Sequence, residues 1–421
     1  MIHLLLILIG EPVVRKRWPA LMALGLLWTA LGAFFFVNAL NDELRIPTIF
    51  FVIPLLLDAA LTLTAAFGSV GTRRMLRLGK CGLFVIISLL IVLKPGGSDI
   101  AIGILVGIIL ILDACWRVSS ALVVRFARWR RSIALAVFEF ALGLWAFVPW
   151  PTHWHGEVGM DVGTLIAITG TSLVGLALRL RRLPSRVPIS RILSEGWPEE
   201  SCPEKMDTPA GPPARGNLTV HVWTPTGALA PLTRGVERYI AATDRNGVIS
   251  TGHAALEASP DIYISHYPAQ EIDATPGDFA KALRATREND QPGRWQPSYA
   301  IESGEWCASS FRIELTDINL EALRRFWSSY RLNPTYNLTN RNCSSAVAKA
   351  LDIAVEGTFA SASRSPRVLV RLLFQPELWT AGWLRYRAMA MAWTPGIVLD
   401  YSRALSAVLG LRGSSSPPRQ P

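Results

Sequence analysis

Charged side chains are scarce in this chain: 18% of its 421 residues are Asp, Glu, Lys or Arg, and the 32 acidic residues are outnumbered by 42 basic ones. With half of the residues hydrophobic and a mean hydropathy of +0.30, an ordinary soluble protein is excluded. Cysteine is rare as well. Cys81, Cys115, Cys202, Cys307 and Cys343 nowhere form a C-x-x-C pair, which removes the zinc-finger and dithiol redox classes. No arginine stripe interleaved with aromatics marks a nucleic-acid groove, and no motif calls for a cofactor. The opening "MIHLLLILIG" lacks a basic n-region and a small-x-small cleavage site and runs into Glu11-Pro12. Residues 1–17 therefore read as a short apolar and basic tail at the interface, not as a cleaved signal.

What is present in quantity is apolar sequence. Between Trp18 and Leu178 runs of about twenty apolar residues recur, each long enough at 1.5 Å per residue to cross a hydrocarbon layer of roughly 30 Å. Six spans are expected, at 18–40, 46–68, 78–94, 100–122, 132–150 and 161–179. One set of connecting loops carries sixteen Lys and Arg, from Arg15 to Arg191, and the alternate set only Arg45 and Lys94. Retention of positive loops inside puts both termini, and whatever follows the spans, in the cytoplasm. Free thiols suit that reducing compartment. The net charge of +10 then faces anionic headgroups.

Asp58 and Asp113 align across two spans 55 residues apart, with Gly170 in phase 57 residues later, which suggests three stacked helical hairpins. Such hairpins offer a surface for self-association. A carboxylate within a span is costly, so Asp58 and Asp113 are either proton-linked groups or acids neutralised by packing; Arg117 lies one turn after Asp113, and Glu139 is a third such acid. His153 and His155 form an H-x-H in a loop, too few ligands to define a metal site. The stretches "ALGLLWTALGAFFF", "GILVGIILILDACWRVSSAL" and "FEFALGLWAFVPW" resemble the bacterial HdeD acid-resistance membrane proteins over about residues 15–182. That resemblance implies a stress-linked role at the inner membrane and no catalytic motif.

From Leu183 onward the composition shifts to proline, serine and glycine, so 183–216 reads as a linker, followed by an α+β domain over 217–360. "LTVHVWTP", "VERYIAATD", "GVISTGHAALE", "DIYISHYPA" and "CASSFRIELT" alternate like strands. "PGDFAKALRATREND", "NLEALRRFWSSYRL" and "NCSSAVAKALDIAV" read as helices. Residues 361–411 hold aromatic amphipathic helices, with Trp379, Trp383 and Tyr386 on one face; they suit equally a headgroup layer or packing on the domain. The tail 412–421 lacks any core-forming residue pattern.

One cysteine stands out. Asn342 is a favoured N-cap, which puts Cys343 in a first helical turn, where the dipole favours a thiolate. His253 and His266 fall on neighbouring strands, so a nucleophile, a base and an orienting group are all at hand. Equally, Cys343 shares a stripe with Val347, Ala350 and Ala354 and reads as buried core. The stretches "TGHAALEASPDIYISHYP" and "NRNCSSAVAKALD" resemble the circularly permuted papain-like hydrolases of the NlpC/P60 superfamily, nearest the lecithin:retinol acyltransferase-like branch, over about residues 218–356. By that resemblance Cys343 is the nucleophile, His253 the general base and His266 the polar orienter. "HAALE" lacks the usual tyrosine and "NCSS" the usual "NCEHF" continuation, so the branch's substrate does not carry over. The expectation is a membrane-anchored thiol amidase, peptidase or acyltransferase acting on a peptide, protein or lipid. The competing expectation is a stress-resistance module whose soluble domain only binds partners.

Overall fold

The computed structural model describes residues 2–40, scattered positions within 52–63, 72–126 except 94, 129–182 except 149 and 151–156, 187–193, 214–223, 242–243, 249–250, 252–270 except 259, 282–361 and 365–413. The chain forms two compact units. One comprises Arg15–Ser119 and Arg130–Arg182, the other Met1–Val14, Ser120–Trp129 and Leu183–Pro421.

The apolar opening is a helix, α1 (Ile2–Ile9), followed by a single turn, α2 (Glu11–Val14). It is not the free interfacial tail that the sequence suggests. Leu4, Ile7 and Leu8 are fully buried in the second unit, where the amides of Gly357 and Phe359 donate to the carbonyls of Ile7 and Leu8 at 2.9 and 2.8 Å. The close approach requires glycine: Gly10 has a φ of +85°, and a Cβ on it would lie 2.6 Å from the Cα of Gly357. The six apolar residues Leu4–Ile9 in a row carry no periodicity that separates a buried helix from an interfacial one, which is why sequence alone misplaces them.

The first unit is helical: α3 (Trp18–Ala39), α4 (Thr72–Leu93), α5 (Pro95–Val124, which from Ser120 on belongs to the other unit), α6 (Trp129–Trp145, whose first residue belongs to the other unit) and α7 (Glu157–Arg181). Three stretches, Trp18–Ala39, Gly103–Val124 and Gly159–Arg181, are long and apolar enough to cross a membrane. Of the six expected spans, the one at 46–68 falls almost wholly outside the described residues, and Asp58 and the His153/His155 pair with it. Antiparallel packing of α3 on α7 has a plain sequence cause. Gly25, Gly32 and Ala39 recur every seven residues on α3, and Gly163, Gly170 and Ala177 do so on α7. A Cβ on Gly163 would lie 2.7 Å from the nitrogen of Phe36, and one on Gly32 would fall on the backbone of Ala167. Small residues thus let two backbones touch where apolar burial alone gives helices in lipid no reason to associate.

The second unit is built on a five-stranded antiparallel sheet ordered β6-β5-β4-β1-β7, from β1 (Arg215–Trp223), β4 (His253–Ala258), β5 (Ile262–Pro268), β6 (Gly293–Trp295) and β7 (Phe311–Asn319); β2 (Ala242–Thr243) and β3 (Ile249–Ser250) pair separately. Part of the expected linker is structured: α8 (Ile189–Leu193) buries Ile189 and Leu193, and Glu356 accepts the Ile189 amide at 2.8 Å. Residues 284–290, expected to continue a helix, hold only a 3-10 turn at Arg287–Asn289. Next come α9 (Tyr299–Glu305), α10 (Leu320–Tyr330) and α11 (Cys343–Val355).

Every residue of α11 is buried. Its alanines allow it to lie close against the sheet face formed by Val220, Ala254, Leu256 and Ile264. The C-terminal helices α12 (Pro366–Leu373), α13 (Pro376–Ala390) and α14 (Pro395–Gly413) belong to the same unit. Helix α14 packs on β7 and β1, while Arg385 of α13 and Tyr401 of α14 both bind Asp352 of α11, at 2.8 and 2.6 Å. A buried carboxylate shared by two helices fixes their register.

Candidate active site

Asn342 has extended backbone, and its side chain accepts the amide of Ser345 at 2.7 Å while Ser345 Oγ accepts the Asn342 amide at 2.8 Å. This reciprocal cap starts α11 at Cys343. The Asn342 amide group also donates to the carbonyls of Leu338 (2.8 Å) and Trp393 (3.0 Å), so the helix start is tied to the loops on both sides. Cys343 is 8% exposed. Its surroundings are polar: Ser344 Oγ lies 3.6 Å from the sulfur, the backbone of Ala254 bonds to it, and so does the imidazole of His253.

His253 is the first residue of β4 and is itself buried. Nε2 lies 2.8 Å from Ser265 Oγ and 3.2 Å from Glu302 Oε1, which leaves Nδ1 for the sulfur. The ring stacks on Tyr267 with centroids 4.2 Å apart. Glu302, in the first turn of α9, accepts hydroxyl hydrogen bonds from Tyr263, from Ser265 (3.0 Å) and from Tyr267 (2.7 Å). Cys343, His253 and Glu302 therefore form a continuous line of thiol, imidazole and carboxylate.

Electrostatics follow from that line. Burial alone would raise the Glu302 carboxyl, but His253 and the two tyrosine hydroxyls outweigh it and hold the group down at about 2. Burial likewise opposes the imidazolium, yet the Cys343 thiolate and then Glu302 push His253 up to about 9. For Cys343 burial raises the thiol, and the His253 charge and hydrogen bond carry it below its usual value. The arrangement favours a thiolate beside an imidazolium, backed by a carboxylate.

His266 does not join this group. The register pairs Ala255 with Ser265, so the residue across from His253 is Tyr267, and His266 projects from the opposite face of the sheet. There its Nε2 lies 3.1 Å from the carbonyl of Pro334, its ring stacks on Trp295 at 4.0 Å, and burial lowers it to about 4, so it is neutral. The side chains that contact His253 where an orienting group was expected are Glu302 and Ser265. Sequence reasoning missed Glu302 because it lies 49 residues after His253 on a helix that was not expected. Ser298 after a proline, with an acid four residues on, is an N-cap signal that reveals the helix, though not what its carboxylate touches.

In the helical unit Arg117 reaches Asp113 at 2.9 Å and Glu139 at 3.0 Å, a clamp between α5 and α6. Among the described residues no group of three or more His, Cys, Asp or Glu is placed to hold a metal. No family model, no curated protein and no solved structure matches the chain.

Proposed function

We propose that this is a membrane-anchored thiol hydrolase or acyltransferase in which Cys343 is the nucleophile, His253 the acid–base group and Glu302 the residue that orients and charges it. The observation that carries the reading is the unbroken line from sulfur to imidazole to a buried carboxylate that also accepts hydrogen bonds from three hydroxyls. The thiolate attacks a carbonyl carbon of an amide or ester. The resulting oxyanion accepts hydrogen bonds from the amides of Cys343 and Ser344, which the Asn342 cap leaves without a partner among the described residues. His253 then passes its proton to the departing amine or alkoxide, giving an acyl-cysteine. In the second half, His253 takes a proton from water or an acceptor hydroxyl, whose oxygen displaces the thiolate.

The resemblance of residues 218–356 to permuted papain-like hydrolases supports the same chemistry, with Glu302 in place of the expected histidine. Three apolar helices of spanning length support the membrane location. The excess of basic loop residues supports cytoplasmic placement of the catalytic unit at an inner membrane, and the HdeD-like texture supports a stress-linked role.

The test is acyl-enzyme capture. Purified protein is mixed with activated acyl esters, quenched in acid and mapped by mass spectrometry. An acyl group on Cys343 that disappears in His253→Ala is expected. Acylation absent from Cys343, or unchanged in His253→Ala, rejects the proposal and leaves the partner-binding module as the better account.

A further inference from the structure

Helices α12 and α13 show two unlike faces. The inner one is core, with Leu372, Leu378, Ala381 and Leu384 buried. The outer one is apolar and aromatic yet open: Phe374 is 51% exposed, Trp379 52%, Trp383 57% and Tyr386 49%. Trp379, Trp383 and Tyr386 fall at i, i+4 and i+7 on one stripe of α13, and Phe374 is at the turn that leads into it, a clustering unlike the scattered apolar residues of a normal surface. Its charges have one sign. Arg367 and Arg371 are exposed and Arg387 is half-buried, with its guanidinium 5.7 Å from the Trp383 ring, whereas the one acid of the pair, Glu377, is buried.

From this we infer that the outer face of α12 and α13 is a docking surface for anionic lipid headgroups, lying flat in the interface of the membrane that the chain already spans. Tryptophan and tyrosine favour that layer because their rings are amphipathic, and arginines beside them pair with phosphate. Each basic side chain near an anionic leaflet is attracted to it, so the three arginines select such a leaflet over a zwitterionic one. The patch is also tethered to the bilayer. Helix α1 packs on α13, and only eight residues separate Ile9, the end of α1, from Trp18, the start of a helix long enough to cross. Fully extended, that connection spans about 30 Å at most, and α2 shortens it. A soluble partner protein has no such tether, and a second copy would bring like charges together. The trapped Trp379 indole, which donates to the Leu373 carbonyl at 2.6 Å, holds the two helices as one surface.

The experiment uses the full chain in vesicles, with p-benzoylphenylalanine placed at position 383 or, as a reference, at position 332, where Leu332 is an open apolar residue beside Arg331 outside the patch. Both positions are on the surface, so folding is retained. After irradiation, lipid adducts are counted by mass spectrometry. The expected result is a yield at 383 at least several-fold above that at 332, and higher in phosphatidylglycerol than in phosphatidylcholine vesicles. Equal yields at the two positions, equal yields in the two vesicles, or crosslinks only to a second copy of the chain would overturn the inference.

Discussion

Glu302→Gln isolates the electrostatics of the site from its shape. The carboxyl is nearly fully buried and lies at about 2 against a usual 4.5, a depression of about 2.5 units. At 1.36 kcal/mol per unit, ionised Glu302 contributes about 3 kcal/mol to the folded state at pH 7. Because the folded value is the lower one, that contribution is complete above pH 4.5 and is lost as pH falls toward 2. By pH 3.5 it has shrunk by about 1 kcal/mol. The variant lacks this term at every pH and leaves one of the hydroxyl donors of Tyr263, Ser265 and Tyr267 facing an amide NH2. Thermal melts should therefore show the variant about 6–12 °C below the wild type at pH 7, with a gap that narrows between pH 5 and 3.5. Titration of the groups that do not interact with Glu302 cancels in the difference. A gap that stays constant over that range would mean the native carboxyl is not ionised, and the charge relay from Glu302 to His253 would be wrong.

Three further outcomes are expected. His266 is held near 4 by burial against 6.5 when unfolded, so folding is weakened as pH drops from 6.5 to 4, by about 3 kcal/mol in full; His266→Phe should flatten the melting temperature over that window, and an unchanged slope would refute the buried neutral ring. Asn342→Ala removes the cap and strands the carbonyls of Leu338 and Trp393, with a stability loss of about 2 kcal/mol or more by chemical denaturation. Gly32→Ala drives a methyl into the backbone of Ala167 and should lower thermal stability in detergent by about 1–3 kcal/mol, whereas Gly79→Ala, with open space around it, should be neutral or stabilising; equal effects would rule out backbone contact between α3 and α7.

Local signals explain what could be read in the sequence. Asn342 before Cys343 set the start of α11, and the β-branched alternation of "IYISHYP" set β5, because each depends on neighbours in the chain. The seven-residue glycine and alanine spacing of α3 was equally visible. The pairing of histidines failed on parity. In this hairpin the register pairs Ala258 with Ile262, so residues that share a face are an even number apart; His253 and His266 are 13 apart and take opposite faces, while His253 and Tyr267, 14 apart, stack. Glu302 and the docking of α1 on residues 357–359 depend on contacts between segments far apart in sequence, which carry no local periodicity. The aromatic stripe of α13 was legible, but the two readings left open for it both describe part of the helix: its inner side packs and its outer side is open.

The central claim is a reactive thiolate at the tip of α11, and its most direct test is the pH profile of iodoacetamide labelling, resolved by cysteine with mass spectrometry. Cys307 is an exposed thiol in the same unit and serves as the reference within the same molecule. The account predicts that Cys343, though only 8% exposed, is alkylated faster than Cys307 at pH 6.5, and that His253→Ala removes the advantage. Slower labelling of Cys343 than of Cys307 throughout, indifferent to His253, would contradict it.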